Sequence, residues 1–260
     1  MSKQNLHIVK IGGNIINDKN TLSAFIKDFA QLDGKKILVH GGGKRATELA
    51  NSIGLAPKMI NGRRITDEAN LEIVTMVYAG LLNKNIVAEL HQNNCNALGL
   101  SGADVNAIRA HKRIVKDIDY GFAGDIDVVN HKAIDVFLQN DMTPVFCAIS
   151  HDKKGQLLNT NADTIASEVA IAMSKDYDTS LIYTFEKNGV LRTIEDDKSV
   201  IEHINSKYYE QLKEEGIIAD GMLPKMLNCF NALQRGVSEV KIANPTILKN
   251  QNQLHTTLVL

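Results

Sequence analysis

Two kinds of apolar segment alternate along the chain. Continuous apolar runs, typical of buried strands, occupy residues 6–11, 37–40, 97–100, 144–149 and 180–184. Between them apolar residues recur at helical spacing, as at Leu22, Phe25, Ile26 and Phe29. Alternating strands and helices predict an α/β fold with a central, mainly parallel sheet that helices cover on both faces.

Other patterns refine this organisation. Residues 45–52 begin a predicted helix, and 67–93 predict a long helix or a helix pair broken near Gly80. Residues 105–118 and 121–129 alternate as antiparallel ribbons do. A polar break at 175–177 precedes the last strand-like run. We therefore predict two domains, 1–175 and 176–260.

Two glycine clusters each follow a predicted strand. Gly12 and Gly13 come two residues after Lys10, and Gly41-Gly42-Gly43 follows His40. Consecutive glycines between a strand and a helix let backbone N–H groups approach an anion, and the helix N-terminus favours negative charge. Lys10, a lone charge in an apolar strand, is costly unless it meets an anion. Two anion sites predict phosphoryl transfer. For His40, packing or capping is favoured over proton transfer.

Three polar motifs supply further candidates. Arg63 and Arg64 precede a Thr-Asp helix start, and a guanidinium can grip a carboxylate in a bidentate manner. The motif LNTNAD (158–163) holds more amide and carboxylate groups than capping of the next helix requires. Lys225 falls in the first turn of a predicted helix, where a cation opposes the helix dipole and favours a bound anion.

Composition and charge exclude several classes of protein. A net charge of −1 over 260 residues argues against nonspecific nucleic-acid binding. No apolar run approaches the roughly 20 residues that span a bilayer, and strand-like sequence by residue 6 leaves no room for a signal peptide. Three separated cysteines predict a reduced, cytoplasmic protein, and scattered histidines predict no metal site.

Nucleotide fingerprints narrow the choice of enzyme. GxxxxGK[ST] is absent, which excludes P-loop kinases, and GxGxxG is absent from the first strand–helix turn, which disfavours a dinucleotide oxidoreductase.

Taken in order, six motifs resemble those of the amino acid kinase family, in its acylglutamate branch. They are KIGGN (10–14), HGGG (40–43), NGRRITD (61–67), NALGLSG (96–102), LNTNAD (158–163) and DGMLPK (220–225). The resemblance implies an αβα sandwich. It also implies an N-terminal domain that binds the acylglutamate and forms a homodimer, and a C-terminal domain that binds ATP with Mg²⁺.

The resemblance also assigns roles. It makes Lys10 and Lys225 the lysines that stabilise the transferring phosphoryl group, oriented by Asp163. The remaining matches are Gly42, Gly43, Arg64 and Asn159 for the substrate, Arg64 holding its α-carboxylate, and Gly12, Gly13 and Gly189 for the nucleotide.

The implied reaction is ATP-dependent phosphorylation of the γ-carboxylate of N-acetyl-L-glutamate, a step of arginine biosynthesis. A carboxylate with a pKa of about 4.3 is already ionised at neutral pH, so no general base is needed. Two alternatives stay open: N-succinyl-L-glutamate as substrate, with Arg63 meeting the extra carboxylate, and a catalytically silent ligand-binding regulator.

Three features depart from the family pattern. Phe185-Glu186-Lys187-Asn188-Gly189 stands where relatives often have Thr-Asp-Val-x-Gly, which puts nucleotide contacts there in doubt. Ala103 stands where a lysine is common. The chain starts at the first strand, without the added N-terminal helix of hexameric, arginine-inhibited members, so the expectation is a dimer insensitive to arginine.

Overall fold

The computed structural model of the chain describes residues 3–60, 62–219 and 222–260. The strands, in chain order, are β1 Asn5–Ile11, β2 Lys35–His40, β3 Met59–Ile60, β4 Arg63–Arg64, β5 Ala97–Leu100, β6 Ile108–Lys112, β7 Gly124–Val129, β8 Thr143–Cys147, β9 Ile149–His151, β10 Leu157–Asn159, β11 Asp178–Thr184, β12 His203–Ile204, β13 Glu239–Ala243 and β14 Thr256–Leu258. Motif residues Asn61, Asp220 and Gly221 lie outside the described part of the chain.

The helices connect these strands. They are α1 Gly13–Asn17, α2 Lys19–Gln31, α3 Gly43–Ser52, α4 Glu68–Thr75, α5 Asn83–Gln92, α6 His131–Gln139, α7 Ala162–Met173, α8 Ser206–Glu214 and α9 Met222–Gln234. A π-helix, Met76–Leu82, joins α4 to α5 directly, and short 3₁₀ helices cover Asp104–Asn106 and Pro245–Leu248.

The chain forms two compact units that do not follow its linear order. One unit contains the residues up to Ile37 together with Ala166–Leu260, and the other is the continuous segment Leu38–Ile165. A single cut at residue 175 does not describe this packing, because the first strand belongs with the C-terminal segment. Which ligand each part of the chain binds stays a prediction.

In the first unit, parallel pairing holds the two ends of the sequence together. β1 pairs with β11 from Asn5↔Asp178 to Ile11↔Thr184, and β11 pairs in parallel with β13. β14 runs antiparallel to β13 and parallel to β12. β1 is buried on both faces, since Leu6, Ile8, Val9 and Ile11 are all fully buried, as its continuous apolar sequence indicates.

The second unit holds a parallel group of strands and a separate small sheet. β8 pairs in parallel with both β2 and β5. The order β10-β9-β6-β7 makes the small sheet, in which β6 and β7 run antiparallel. The predicted ribbons are thereby confirmed, with shorter bounds. The mainly parallel α/β sheet is confirmed as well.

The long helical stretch differs from its prediction in one respect. Gly80 does not break it; instead the chain continues as a π-helix between α4 and α5. Within the described residues, Glu68–Gln92 is one helix whose length and composition alone would suffice to cross a bilayer. A core helix passes the same test, and α5 packs on β5 and β8 in this way. The absence of a membrane partner stays a prediction.

Gly12 and Gly13 differ in their surroundings, which yields a stability test. A Cβ at Gly12 would lie 2.7 Å from the carbonyl oxygen of Thr184, whereas a Cβ at Gly13 meets nothing within 4 Å. We expect Gly12→Ala to lower the free energy of unfolding by about 1–3 kcal/mol, as overpacking does. Gly13→Ala, the matched control in α1, should stay within about 1 kcal/mol of wild type. Urea denaturation measures the free energy of unfolding of both variants. Equal losses would contradict the conclusion that Gly12, but not Gly13, is closely packed.

Candidate active site

The second glycine cluster forms a tight turn between β2 and α3. A Cβ at Gly42 would lie 2.4 Å from Leu82 Cδ1 and 2.9 Å from Tyr78 Cδ1, so only glycine fits under the π-helix. Gly41 and Gly43 have ordinary room, with the nearest contacts at 3.6 and 3.8 Å. The packing of the chain thus requires glycine at Gly42 but leaves Gly41 and Gly43 unexplained. Close approach of a ligand to the backbone at those two glycines stays a prediction.

His40 supports this turn as a neutral packing residue. The ring is fully buried; Nδ1 lies 2.8 Å from Gly41 O, and Nε2 lies 3.0 Å from Asn83 Nδ2. Since the amide nitrogen of Asn83 donates to Nε2, Nδ1 carries the proton and donates to Gly41 O. Burial lowers the pKa of His40 from 6.5 to about 4. Packing therefore accounts for this histidine, as the sequence favoured.

Arg64 is a buried cation whose partners are uncharged. The residue is 7% exposed; its Nη2 donates to Gly43 O at 3.0 Å and to Thr47 Oγ1 at 2.6 Å. Nη1 makes a longer contact of 3.4 Å with Asn70 Oδ1. Among the described residues of its unit, no carboxylate forms an ion pair with it. A buried charge without a counter-charge is costly, so the arrangement favours a bound anion.

A cavity of about 570 Å³ opens beside this guanidinium. Its wall includes the glycine turn, Arg64, Tyr78 and Asn159. β10 places Asn159 there, where its amide donates to Thr66 Oγ1 at 2.9 Å. The cavity therefore combines a cation, backbone N–H groups and an amide, a donor set suited to a small carboxylate.

The rest of LNTNAD opens α7. Asn161 lines the cavity and also caps this helix, its Oδ1 accepting from Thr164 N at 3.1 Å. Asp163 lies in the first turn of α7. Capping and cavity lining are thus combined in one motif.

In the other unit, the two predicted catalytic lysines lie at the same edge of the sheet. Lys10 is paired in register with Tyr183, at the carboxyl end of β1 and β11. From the first turn of α9, Lys225 Nζ lies 6.0 Å from the Tyr183 ring centroid and 5.0 Å from that of Phe185. Carboxyl ends of parallel strands are where α/β proteins bind ligands. That the two lysines bind an anion there stays a prediction.

Gly189 has a packing explanation. A Cβ there would lie 2.5 Å from Thr256 Oγ1 and 2.8 Å from Val200 Cγ1. Thr256 Oγ1 also accepts from Val190 N at 2.8 Å. The chain itself thus requires glycine at this position, and its contact with a nucleotide stays a prediction.

Comparison with known proteins identifies the family. Residues 5–244 match the amino acid kinase family. The chain belongs to that family.

Relatives in the amino acid kinase family align along nearly the whole chain. The chain is 52% identical over 240 residues to a protein of Cytophaga hutchinsonii named acetylglutamate kinase, covering 92% of this chain and 91% of that one. It is 50% identical to the acetylglutamate kinase of Bacteroides fragilis, covering 92% of each. The crystal structure of smu.665 from Streptococcus mutans UA159 superposes with a TM-score of 0.80 at 27% identity, covering 98% of both chains.

Sequence reasoning missed two residues of this amino acid kinase site. Thr47 binds Arg64 directly, and Tyr78 lines the cavity from the π-helix. Thr47 follows Gly43 by one helical turn, a spacing that places it above the glycine turn. Tyr78 belongs to an apolar periodicity that predicts only a core position. The roles of all the predicted site residues stay predictions.

The neutral state of His40 makes stability pH-dependent. The unfolded chain protonates His40 near pH 6.5, whereas the folded chain does so only near pH 4. The neutral ring therefore makes its full contribution to the free energy of unfolding above pH 6.5. This contribution is lost as pH falls from 6.5 to about 4 and changes no further below. We expect the loss to be about 3 kcal/mol.

His40→Gln removes the titration and serves as the reference. Urea denaturation of both proteins at pH 7 and pH 4 should show a larger drop for wild type. Parallel losses in the two proteins would contradict the assignment.

Proposed function

We propose that this protein transfers the γ-phosphoryl group of ATP to the γ-carboxylate of N-acetyl-L-glutamate, forming N-acetyl-L-glutamate 5-phosphate for arginine biosynthesis. The relatives at about 50% identity carry the name of that activity. The observation that carries the proposal is the Arg64 guanidinium. It is buried beside a cavity, and its hydrogen-bond partners within the described part of the chain are uncharged.

The acceptor's α-carboxylate would complete the Arg64 site. A guanidinium can offer up to five N–H donors, and the hydrogen bonds to Gly43, Thr47 and Asn70 use three of them, which leaves donors for a carboxylate. Backbone N–H groups of Gly42 and Gly43 and the amide of Asn159 would hold the remaining polar atoms. These contacts would orient the γ-carboxylate of the acceptor towards ATP. That carboxylate is already ionised at neutral pH and needs no base.

The lysines would neutralise charge during transfer. A carboxylate oxygen bonds to the γ-phosphorus as the bond to the β-bridging oxygen breaks, and ADP leaves with that oxygen. Lys10 and Lys225 would stabilise the transferring group, Asp163 would orient them, and the N–H groups of Gly12 and Gly13 would approach it. Catalysis then rests on positioning and electrostatic stabilisation.

Mg²⁺ would arrive with the nucleotide. No three His, Cys, Asp or Glu side chains within residues 3–60, 62–219 and 222–260 are grouped to hold a metal ion. Mg²⁺ commonly keeps several waters and binds substrate phosphates, which fits a site with few carboxylates. Bound there, it supplies charge neutralisation on the phosphates.

The assembly and location of the enzyme belong to the same proposal. We expect a cytoplasmic homodimer that arginine does not inhibit. The three cysteines are buried and form no disulfide, in keeping with a reducing compartment. A native mass equal to one chain would contradict the dimer, and inhibition on arginine titration would contradict the insensitivity.

The first experiment tests turnover directly. The protein is incubated with Mg-ATP and, separately, N-acetyl-L-glutamate, N-succinyl-L-glutamate, glutamate and aspartate, and acyl phosphate is trapped with hydroxylamine. We expect hydroxamate with an acylglutamate. The rate should be about 10²–10³ lower in Lys225→Ala, because the substitution removes a positive charge that stabilises the transferring phosphoryl group.

Lys213→Ala is the matched control, since Lys213 forms an exposed ion pair with Glu210 within α8. No hydroxamate with any acceptor, in protein shown to be folded, would refute the kinase. A catalytically silent ligand-binding regulator would then be favoured.

One observation favours the succinyl alternative. Arg63 and Arg113 line the first cavity and also a neighbouring cavity of about 460 Å³, which His111 and Lys116 border. Arg113 is held by Asp125, its Nε donating at 3.1 Å to each carboxylate oxygen. The exposed Arg63, which borders both cavities, is a cation suited to an acyl chain that ends in a carboxylate.

Arg63→Ala tests this alternative. If succinyl is the natural acyl group, the substitution should lower kcat/KM for N-succinyl-L-glutamate by about fivefold, the value of a partly exposed ion pair. The value for N-acetyl-L-glutamate should change little. An equal effect on both substrates, with the acetyl compound preferred, would contradict the alternative.

A further inference from the structure

Thr47 joins the glycine turn to the substrate-binding cation. Its hydroxyl lies 2.9 Å from Gly43 O, to which it donates, and 2.6 Å from Arg64 Nη2, from which it accepts. Arg64 Nη2 also donates to Gly43 O at 3.0 Å. One hydroxyl thereby closes a three-membered network between α3 and β4.

This network limits how the guanidinium can move. An arginine side chain loses considerable rotamer entropy when it is fixed. Where the chain has already fixed it, that loss is not incurred when the ligand binds, and affinity rises. The packing around Gly42 adds to this, since Tyr78 and Leu82 hold the turn from which Gly43 O projects.

Thr47 therefore differs from an ordinary helix threonine. A threonine in a helix commonly bonds only to the carbonyl four residues earlier, which here is Gly43 O. The second bond, to a buried cation, has no part in forming the helix. It sets the direction of a charged group beside the cavity.

We propose that Thr47 is a positioning residue that orients Arg64 for the α-carboxylate of the acceptor substrate. The identity of that ligand rests on the proposed function. Thr47 itself need not touch the substrate, because its effect passes through the guanidinium. The site thus contains a determinant of acceptor affinity that lies on α3, outside the six sequence motifs.

Thr47→Val and Thr47→Ser test this role. Valine keeps the shape and removes both hydrogen bonds, whereas serine keeps the hydroxyl. We expect Thr47→Val to raise KM for the acylglutamate at least tenfold, as loss of a hydrogen bond to a charged group does. KM for Mg-ATP and kcat should stay within about twofold. Thr47→Ser should restore the wild-type KM.

Ser52→Ala is the matched control, because Ser52 donates to Leu49 O on the same helix and lies away from the cavity. Calorimetric binding of N-acetyl-L-glutamate without ATP gives a second readout, and Thr47→Ala replaces valine if that variant does not fold. An unchanged KM in folded Thr47→Val, with normal turnover, would overturn this inference alone. Failure of wild type both to turn over and to bind would overturn it together with the proposed function.

Discussion

The buried positive charge of Arg64, which forms no ion pair with any residue that the structure describes, is the main constraint on the Leu38–Ile165 unit. Arg64 extends from a two-residue strand to two helices. A carbonyl and a hydroxyl of α3 and an amide of α4 accept its hydrogen bonds. Neutral acceptors replace some of the lost hydration but do not balance the charge. The unit therefore favours a ligand that carries a negative charge.

That arrangement requires three backbones to meet at one point. β2 must end, α3 must begin, and the π-helix must cross them with Tyr78 and Leu82 in contact with Gly42. π-helical turns are rare in proteins, and those that occur are often found at functional sites. Here the π-helix packs Tyr78 and Leu82 against Gly42. This close packing holds the neighbouring carbonyl of Gly43, which accepts from Arg64.

Local patterns predicted those parts of the fold and site that local forces determine. The run 97–100 and the strand before Gly12 were confirmed because a buried parallel strand leaves a continuous apolar signature. The π-helix was not predicted, since its apolar spacing differs little from that of an α-helix over seven residues. The run 144–149 divides at Ala148 into β8 and β9, which enter different sheets. Thr47 was missed because its bond to Arg64 depends on a strand 17 residues away.

The discontinuous unit also has a consequence for biosynthesis on the ribosome. His7 and Ser180, neighbours on β1 and β11, are 173 residues apart in sequence. The segment Leu38–Ile165 is continuous and can condense while the chain is still emerging, whereas β1 waits for β11 until translation has passed residue 184. Such long-range pairing slows folding and leaves an apolar strand incompletely paired for the time needed to synthesise about two thirds of the protein. During that interval β1 is an incompletely paired apolar segment that is prone to aggregation and that chaperones can protect.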